Sequence, residues 1–169
     1  MTILITGGTK GIGFAIAEHL AARGEPLVLG YHSDEAAASD AVERLAALGA
    51  KAVAVRADVG QIADVARLVE VCTALGGGPL HIVHSAASIY PTPLLLADLG
   101  AFTRAIQTNG LSLLYLVQTA LPLKPWDGGA ARVTWSDGVH TLTWNPGVQL
   151  TWVDGPIHRM CARSGGHRH

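Results

Sequence analysis

The sequence predicts an α/β fold built on a doubly wound parallel sheet, and three observations carry that expectation. Short apolar runs recur through the first 124 residues, amphipathic helical stretches separate them, and a glycine-rich turn joins the first run to the first helix. Strands covered on both faces read as continuous apolar runs rather than as alternating ones. Right-handed crossovers between such strands place helices on both faces of the sheet.

The elements can be justified in order. Thr2–Thr6 (TILIT) is a β-branched run that ends in Gly7-Gly8. A helix from about Gly11 carries Ile12, Ile16 and Leu20 on one stripe, with Gly24 placed to terminate it. Pro26–Gly30 is the second strand, and Ser33 is positioned to cap the next helix, where Asp34 and Glu35 bring negative charge to the positive end of the dipole. The apolar face of that helix is Ala38, Ala41, Leu45 and Leu48, stopped by Gly49. Lys51–Val55 is the third strand. The helix after it carries Ile62, Val65, Val69 and Cys72 and runs into glycines 76–78, and Leu80–His84 is the fourth strand. A long helix spans Leu99 to Leu121, followed by a fifth strand near Ala131–Trp135.

Composition limits the function classes. The chain has 169 residues, 49% of them hydrophobic and 15% charged, with a formal net charge of −1. That is one domain with a real core, and it is incompatible with disorder. Near-neutral charge supplies no bulk attraction to nucleic acid or to an anionic membrane, so neither is expected as a partner. No uninterrupted apolar stretch approaches a membrane span, and Met1–Thr6 runs into glycines without a charged leader, so a cytoplasmic protein is expected. Two cysteines, Cys72 and Cys161, make no disulfide framework, and Cys72 is expected as a buried thiol.

Composition also breaks along the chain. All four tryptophans follow residue 125, the last lysine is Lys124 and the last glutamate is Glu70; 23 of the 26 alanines precede Lys124. The expected division is a nucleotide-binding domain over residues 1–136 and a divergent tail over 137–169, with Thr141–Trp144 and Val148–Val153 as a hairpin and a frayed end. In the tail, His158, Cys161, His167 and His169 have spacings a metal could use, but incidental composition accounts for them better, and no metal site is expected.

The glycine loop carries the first chemistry. Thr6-Gly7-Gly8-Thr9-Lys10-Gly11-Ile12-Gly13 lies between the first strand and the first helix. There, glycines let backbone approach a pyrophosphate and helix N–H groups meet its charge. An ordinary strand–helix turn is the plainer alternative. Further on, Asn109 interrupts the apolar stripe Phe102, Ile106, Leu113, Leu116, Ala120, which places an amide on a buried face where it needs hydrogen-bond partners.

The spacing Thr-Gly-x-x-x-Gly-x-Gly resembles that of the short-chain dehydrogenase/reductase family, whose domain is Rossmann-like. The resemblance is good over residues 1–124 and faint over 130–136. It implies cofactor contacts from Gly7, Thr9, Lys10, Gly11, Ile12 and Gly13. It also implies contacts from Asp58 and Val59, the aspartate meeting the adenine ring, and from His84, Ala86 and Ala87, where His84-Ser85-Ala86-Ala87 stands in place of the family's Asn-Asn-Ala-Gly. Phe102 and Asn109 fit the family's Phe-x(6)-Asn spacing. Asn109 is then either an amide satisfied by nearby backbone or the asparagine that helps hold an active-site water and lysine.

The cofactor follows from charge. The second strand ends in Gly30-Tyr31-His32-Ser33 with no carboxylate before Asp34, and Lys10 lies in the glycine loop. A carboxylate at that strand end would favour NAD(H). Its absence, with Lys10, His32 and Ser33 able to meet a 2′-phosphate, favours NADP(H). Alternatively Lys10 and His32 are solvated surface groups.

Family chemistry is hydride transfer between nicotinamide and a small carbonyl or alcohol, with a Tyr-x-x-x-Lys pair as acid–base catalyst. No tyrosine follows Tyr115 and no lysine follows Lys124, so that pair is absent from these residues. Ser136 is either the remnant of the family's catalytic serine or a turn residue before Asp137-Gly138. Two readings follow: a short-chain oxidoreductase truncated or rewritten near residue 124, for example by a frameshift, and therefore impaired; or a non-catalytic nucleotide-binding or interaction module. The resemblance also implies a homodimer through the Leu99–Leu121 helix. A third possibility is a product that does not fold stably, in which exposed Leu113, Leu114 or Leu116 would favour association or aggregation.

Overall fold

A computed structural model describes residues 2–76, 79–89, 91–120, 131–134 and 141–144. The chain divides into two compact units, Met1–Lys124 and Pro125–His169. The boundary coincides with the compositional break.

The first unit is a four-stranded parallel sheet in the order β3-β2-β1-β4, from β1 (Thr2–Thr6), β2 (Leu27–Tyr31), β3 (Ala52–Arg56) and β4 (Pro79–His84). Three helices alternate with the strands: α1 (Gly11–Ala21), α2 (Glu35–Ala47) and α3 (Ile62–Gly76). The chain winds outward from β1 to β3, then returns to the other side of β1 for β4. The carboxyl ends of β1 and β4 therefore flank the point where the winding reverses, the crevice in which open α/β sheets bind ligands.

Alternate residues of the buried strands feed two cores. Ile3, Ile5, Leu27 and Leu29 pack with Phe14, Ala17, Ala41 and Leu45 of α1 and α2 on one face. Leu4 and Val28 pack with Val65, Leu68, Cys72 and Leu116 on the other. The first helix buries Gly13, Phe14, Ala17 and Ala21, while Ile12 is exposed, so the expected stripe from Ile12 is displaced by one position. Small residues at 13 and 17 let α1 lie close on the sheet, and the large Ile12 turns to the mouth of the crevice. Ile62 and Leu48 are exposed for a similar reason: each sits at a helix end, beyond the buried turns. Arg44 of α2 lies over the Phe14 ring at 4.4 Å and pairs with Glu18 at 2.7 Å, tying the first two helices together.

Capping differs from expectation at one helix. Asp34, not Ser33, caps α2, its Oδ1 accepting the Ala37 N–H at 3.0 Å. Gly24 and Gly49, after α1 and α2, have φ of +79° and +80°, the left-handed conformation expected of helix-terminating glycines. The Cys72 thiol is buried, and desolvation pushes its pKa up to about 12.

The long helical segment is not one regular helix. It comprises α4 (Leu99–Ile106), a π-turn over Gln107–Leu111 and α5 (Ser112–Ala120). Ser112 N–H reaches the Gln107 carbonyl, so the turn absorbs an extra residue. One residue corresponds to about 100° of helical phase, so a single apolar stripe cannot run through it. Phe102 and Ile106 of that stripe are exposed, while Leu116 is buried in the second core. Leu121 lies outside the described residues.

In the second unit, β5 (Ala131–Thr134) pairs antiparallel with β6 (Thr141–Trp144), Ala131 opposite Trp144 and Thr134 opposite Thr141. The expected fifth strand thus forms, but its partner is β6. Six residues containing the Asp137-Gly138 turn signal separate the two strands, a local closure that costs little chain entropy. The segment Val148–Val153, expected as the partner of Thr141–Trp144, lies outside the described residues, as do Cys161 and the tail histidines.

Candidate functional site

Two connections at the carboxyl ends of the strands, residues 7–13 and 85–89, meet at the β1/β4 crevice, and residues 32–34, after β2, reach the first of them through Asp34. The glycine loop is shaped by steric exclusion. Gly7 has a φ of +64°, and a Cβ there would lie 2.9 Å from the backbone of Ala86. A Cβ at Gly13 would collide with the Gly7 carbonyl oxygen. Loop, helix and β4 exit are thus in backbone contact. Gly11 differs: its φ is +52°, but nothing lies within 4 Å of where a Cβ would stand. It faces open space at the start of α1.

That helix start is electrostatically bare. Lys10 is its N-cap residue and makes no side-chain cap, and the first turn contains no acidic residue. The N–H groups of the first turn retain their donors and the positive end of the helix dipole. Among the sequence candidates, Lys10, Gly11 and Ile12 are exposed at this point, while Thr9 and Gly13 are buried beneath it.

Beneath the loop lies a hydrogen-bond chain that explains His84. Thr6 and His84 are register partners on adjacent strands. The Ser112 hydroxyl donates its proton to the Thr108 carbonyl at 2.6 Å, so it accepts from His84 Nε2 at 2.8 Å. Nδ1 of a neutral imidazole is then an acceptor, and it takes the Thr6 hydroxyl at 2.7 Å. Thr6 Oγ1 in turn accepts the Ala86 N–H at 3.3 Å. The network assigns His84 as the neutral Nε2–H tautomer. It links the base of the glycine loop, the β4 exit and the start of α5, and burial holds the His84 pKa below its ordinary value.

Asn109 is exposed, contrary to the buried position expected, because the π-turn carries it off the packed face. Both ends of its amide are nonetheless engaged. Oδ1 accepts the Ser88 N–H at 2.7 Å and Nδ2 donates to the Ser88 carbonyl at 2.8 Å. Asn109 thus holds the loop after β4, which also carries Ala86 and Ala87, in the manner of an added strand.

The adenosine-side candidates group at the ends of β2 and β3. An open cavity of about 530 Å³ beside β3 is lined by His32, Arg56, Asp58, Asp64 and Arg67, with Ala54 and Val55. Asp58 Oδ1 accepts the Gly60 N–H at 2.9 Å, and the Asp58 N–H donates to Asp64 at 2.7 Å, which fixes the turn after β3. The Val59 side chain is buried in the core, so only its backbone faces the turn. His32 and Ser33 are exposed, and Arg56 Nε donates to the His32 carbonyl at 3.2 Å. Ser136 lies outside the described residues.

Sequence reading missed four participants: Thr6 and Ser112, which hold His84; Ser88, which Asn109 grips; and Asp34, whose carboxylate pairs with Lys10. The Thr6–His84 pairing was available from strand order, since both residues end adjacent parallel strands. The others depend on the π-turn and on loop conformation, for which local sequence carries no signal.

Sequence and fold match known proteins. The family model for the short chain dehydrogenase matches residues 1–134. A hydroxynaphthalene reductase-like protein of Metarhizium anisopliae is 45% identical over 65 residues, which is 38% of this chain and 24% of that protein. Among solved structures, a blue fluorescent protein from a metagenomic library, in complex with NADPH, is 32% identical with a TM-score of 0.68, covering 76% of this chain and 52% of its own. A short chain dehydrogenase of Burkholderia cenocepacia, in complex with NADP, is 29% identical with a TM-score of 0.67, covering 71% and 49%. The chain therefore spans about half the length of these solved structures. Among the described residues, no helix is long and apolar enough to cross a membrane, and no group of three or more metal-ligating side chains occurs.

The His84 chain predicts a pH dependence of stability. The folded state holds His84 neutral, with its pKa below the unfolded value near 6.5. Below that pH the unfolded chain binds more protons than the folded one, so stability is full above about pH 6.5 and falls as the pH drops. Urea denaturation of the full chain from pH 8 to pH 5 should show this loss. His84→Asn, which keeps an acceptor toward Thr6 and does not titrate, should lose less over the same interval. Equal losses in the two proteins would contradict the assignment.

Proposed function

The chain belongs to the short-chain dehydrogenase family, and we propose that it is the nucleotide-binding part of an oxidoreductase that binds NADP(H), with the hydride-transfer step impaired in these 169 residues. The observation that carries the reading is the bare N-terminus of α1 beneath Gly11. An uncapped helix start, an exposed Gly11 with open space beside it, and glycines that bring backbone into contact form a cradle suited to a pyrophosphate.

In this reading the N–H groups of Ile12 and Gly13 bind the pyrophosphate and Ile12 covers it. Asp58 and the Val59 backbone hold the adenine. Ala86 and Ala87 leave room for the nicotinamide ribose at the β4 exit. Lys10, His32 and Ser33 meet the 2′-phosphate. NADP(H), when bound, supplies or accepts a hydride at its nicotinamide ring. The residues present can bind and orient it. Asn109 contributes by fixing the Ser88 loop, and Thr6 and His84 by fixing Ala86. None of these supplies a proton donor at a substrate oxygen, because the family's tyrosine and its pKa-lowering lysine have no counterpart within the sequence, and an unassisted tyrosine near pKa 10 is a poor catalyst at neutral pH. The substrate class, a small carbonyl or alcohol, is that of the parent chemistry.

Titration of the full chain with NADPH, followed by ligand fluorescence, should give saturable binding with a dissociation constant in the micromolar range. A panel of carbonyl compounds should give no NADPH oxidation above background. Turnover of any of them would overturn the impairment, and absence of binding would overturn the nucleotide reading.

The same family organisation suggests self-association. Phe102, Ile106, Leu111 and Leu114 are exposed on α4, the π-turn and α5, four large apolar side chains within 13 residues. We read this as a homodimer face. Sedimentation should give a dimer for the wild-type chain and a monomer for Leu114→Glu. A wild-type monomer at tens of micromolar would refute it.

A further inference from the structure

Beneath the glycine loop, Thr6 binds three successive residues at the exit of β4. Its hydroxyl donates to His84 Nδ1 at 2.7 Å, its carbonyl accepts the Ser85 N–H at 3.1 Å, and its Oγ1 accepts the Ala86 N–H at 3.3 Å. The Ala86 backbone is the surface against which Gly7 packs, so close that a Cβ on Gly7 would stand 2.9 Å from it. One hydroxyl therefore helps set the spacing between the two walls of the crevice, and its orientation depends on an acceptor at His84 Nδ1. Of the three side chains in this network, Thr6, His84 and Ser112, the imidazole is the one that titrates near neutral pH.

A proton on Nδ1 removes that acceptor, because both ring nitrogens are then donors. The Nε2–H bond to Ser112 survives. Nδ1–H and the Ala86 N–H now both converge on Thr6 Oγ1, and the Thr6 hydroxyl, which makes no other hydrogen bond among the described residues, has lost its acceptor. The ring or the hydroxyl must turn, and Ala86 gives up its side-chain anchor. The ionisable groups on the packed elements are engaged elsewhere. From α3, Asp64 and Arg67 pair with each other, and the Cys72 carbonyl takes the Thr2 hydroxyl at the far end of β1. The Tyr115 phenol of α5 packs against the second core, His81 of β4 is exposed, and Lys10 of the glycine loop pairs with Asp34. Burial is what lowers the His84 pKa.

We propose that His84 is a positioning residue for the nucleotide and ties its binding to a proton: the neutral imidazole holds Ala86 and Gly7 in the binding geometry, and protonation weakens the hold on the dinucleotide. This rests on the reading of the glycine loop and the β4 exit as the two walls of the nucleotide site. Linkage is reciprocal, so a bound dinucleotide must in turn favour the neutral ring. The asparagine that the family pattern has at this place offers an acceptor but cannot titrate, so the coupling comes with the histidine.

Calorimetric titration of the full chain with NADP+ between pH 8 and pH 5, over the range where its amide spectrum shows it folded, tests the proposal. The His84 ring proton is followed by NMR in the same samples. One pH unit below the His84 pKa of the free protein, the dissociation constant should stand about tenfold above its value at pH 8. The His84 pKa should be lower in the saturated protein than in the free one, a comparison that needs no variant. His84→Asn should have the flatter profile, since titration of the ligand's own phosphate and of His32 is common to both proteins. Thr6→Val leaves His84 free to titrate but severs it from Ala86, and its His84 pKa should not respond to the nucleotide. Identical profiles in wild type and His84→Asn, or a wild-type His84 pKa unmoved by saturating NADP+, overturn the proposal while leaving the nucleotide site standing. Failure of the folded wild-type chain to bind NADP+ at pH 8 overturns the site reading and the proposal together.

Discussion

The described fold depends on one close approach: the backbone of the glycine loop against the backbone that leaves β4. Gly7 lies so near Ala86, and Gly13 so near the Gly7 carbonyl, that a side chain at either position would separate the layers. The contact brings the start of α1 to the point where the winding of the sheet reverses. The N-cap there is Lys10, which has no side-chain acceptor, so the first-turn N–H groups keep no side-chain cap. Thr6, His84 and Ser112 hold the same junction from beneath, so strand pairing, helix placement and the binding cradle share one set of restraints. A polar chain of this kind inside an α/β layer is stable only when each member is satisfied. Here each donor has an acceptor once His84 is neutral.

The strands were readable because the middle of a strand buried on both faces must be apolar, as Ile3–Ile5 and Leu27–Leu29 are. Helix faces were readable where packing follows a regular period, as at Ala38, Ala41 and Leu45. The reading failed where geometry departs from that period. Across the π-turn at Gln107–Leu111 the stripe is broken, Phe102, Ile106 and Asn109 standing exposed while Leu116 is buried, and no local residue type announces it. It also failed at a choice between neighbours: Ser33 and Asp34 are both good caps, and the carboxylate, which can serve Ala37 and Lys10 together, takes the position. The glycine loop was the most legible part of the site, because steric exclusion leaves glycine as the sole solution at Gly7 and Gly13. The partners of His84 and Asn109 were the least legible, because they come from segments distant in sequence.

A division of labour follows from this arrangement. The described residues build the glycine loop and its surroundings from backbone groups, and backbone groups do not depend on a catalytic side chain. On the proposed reading, nucleotide binding and turnover are therefore separable, since no Tyr-x-x-x-Lys pair occurs within the 169 residues. The restraints on the loop, Thr6, Gly7, Ala86 and Ser88 among them, lie within the first unit.

The central claim is that the first turn of α1, held against the β4 exit, receives the pyrophosphate of a nicotinamide dinucleotide. Amide NMR spectra of the full chain during an NADPH titration test it most directly. The account predicts that the largest shifts fall on Gly11, Ile12 and Gly13, with Ala86 and Ala87 following at the β4 exit. Saturable shifts confined to other surfaces, with these amides unmoved, would contradict it.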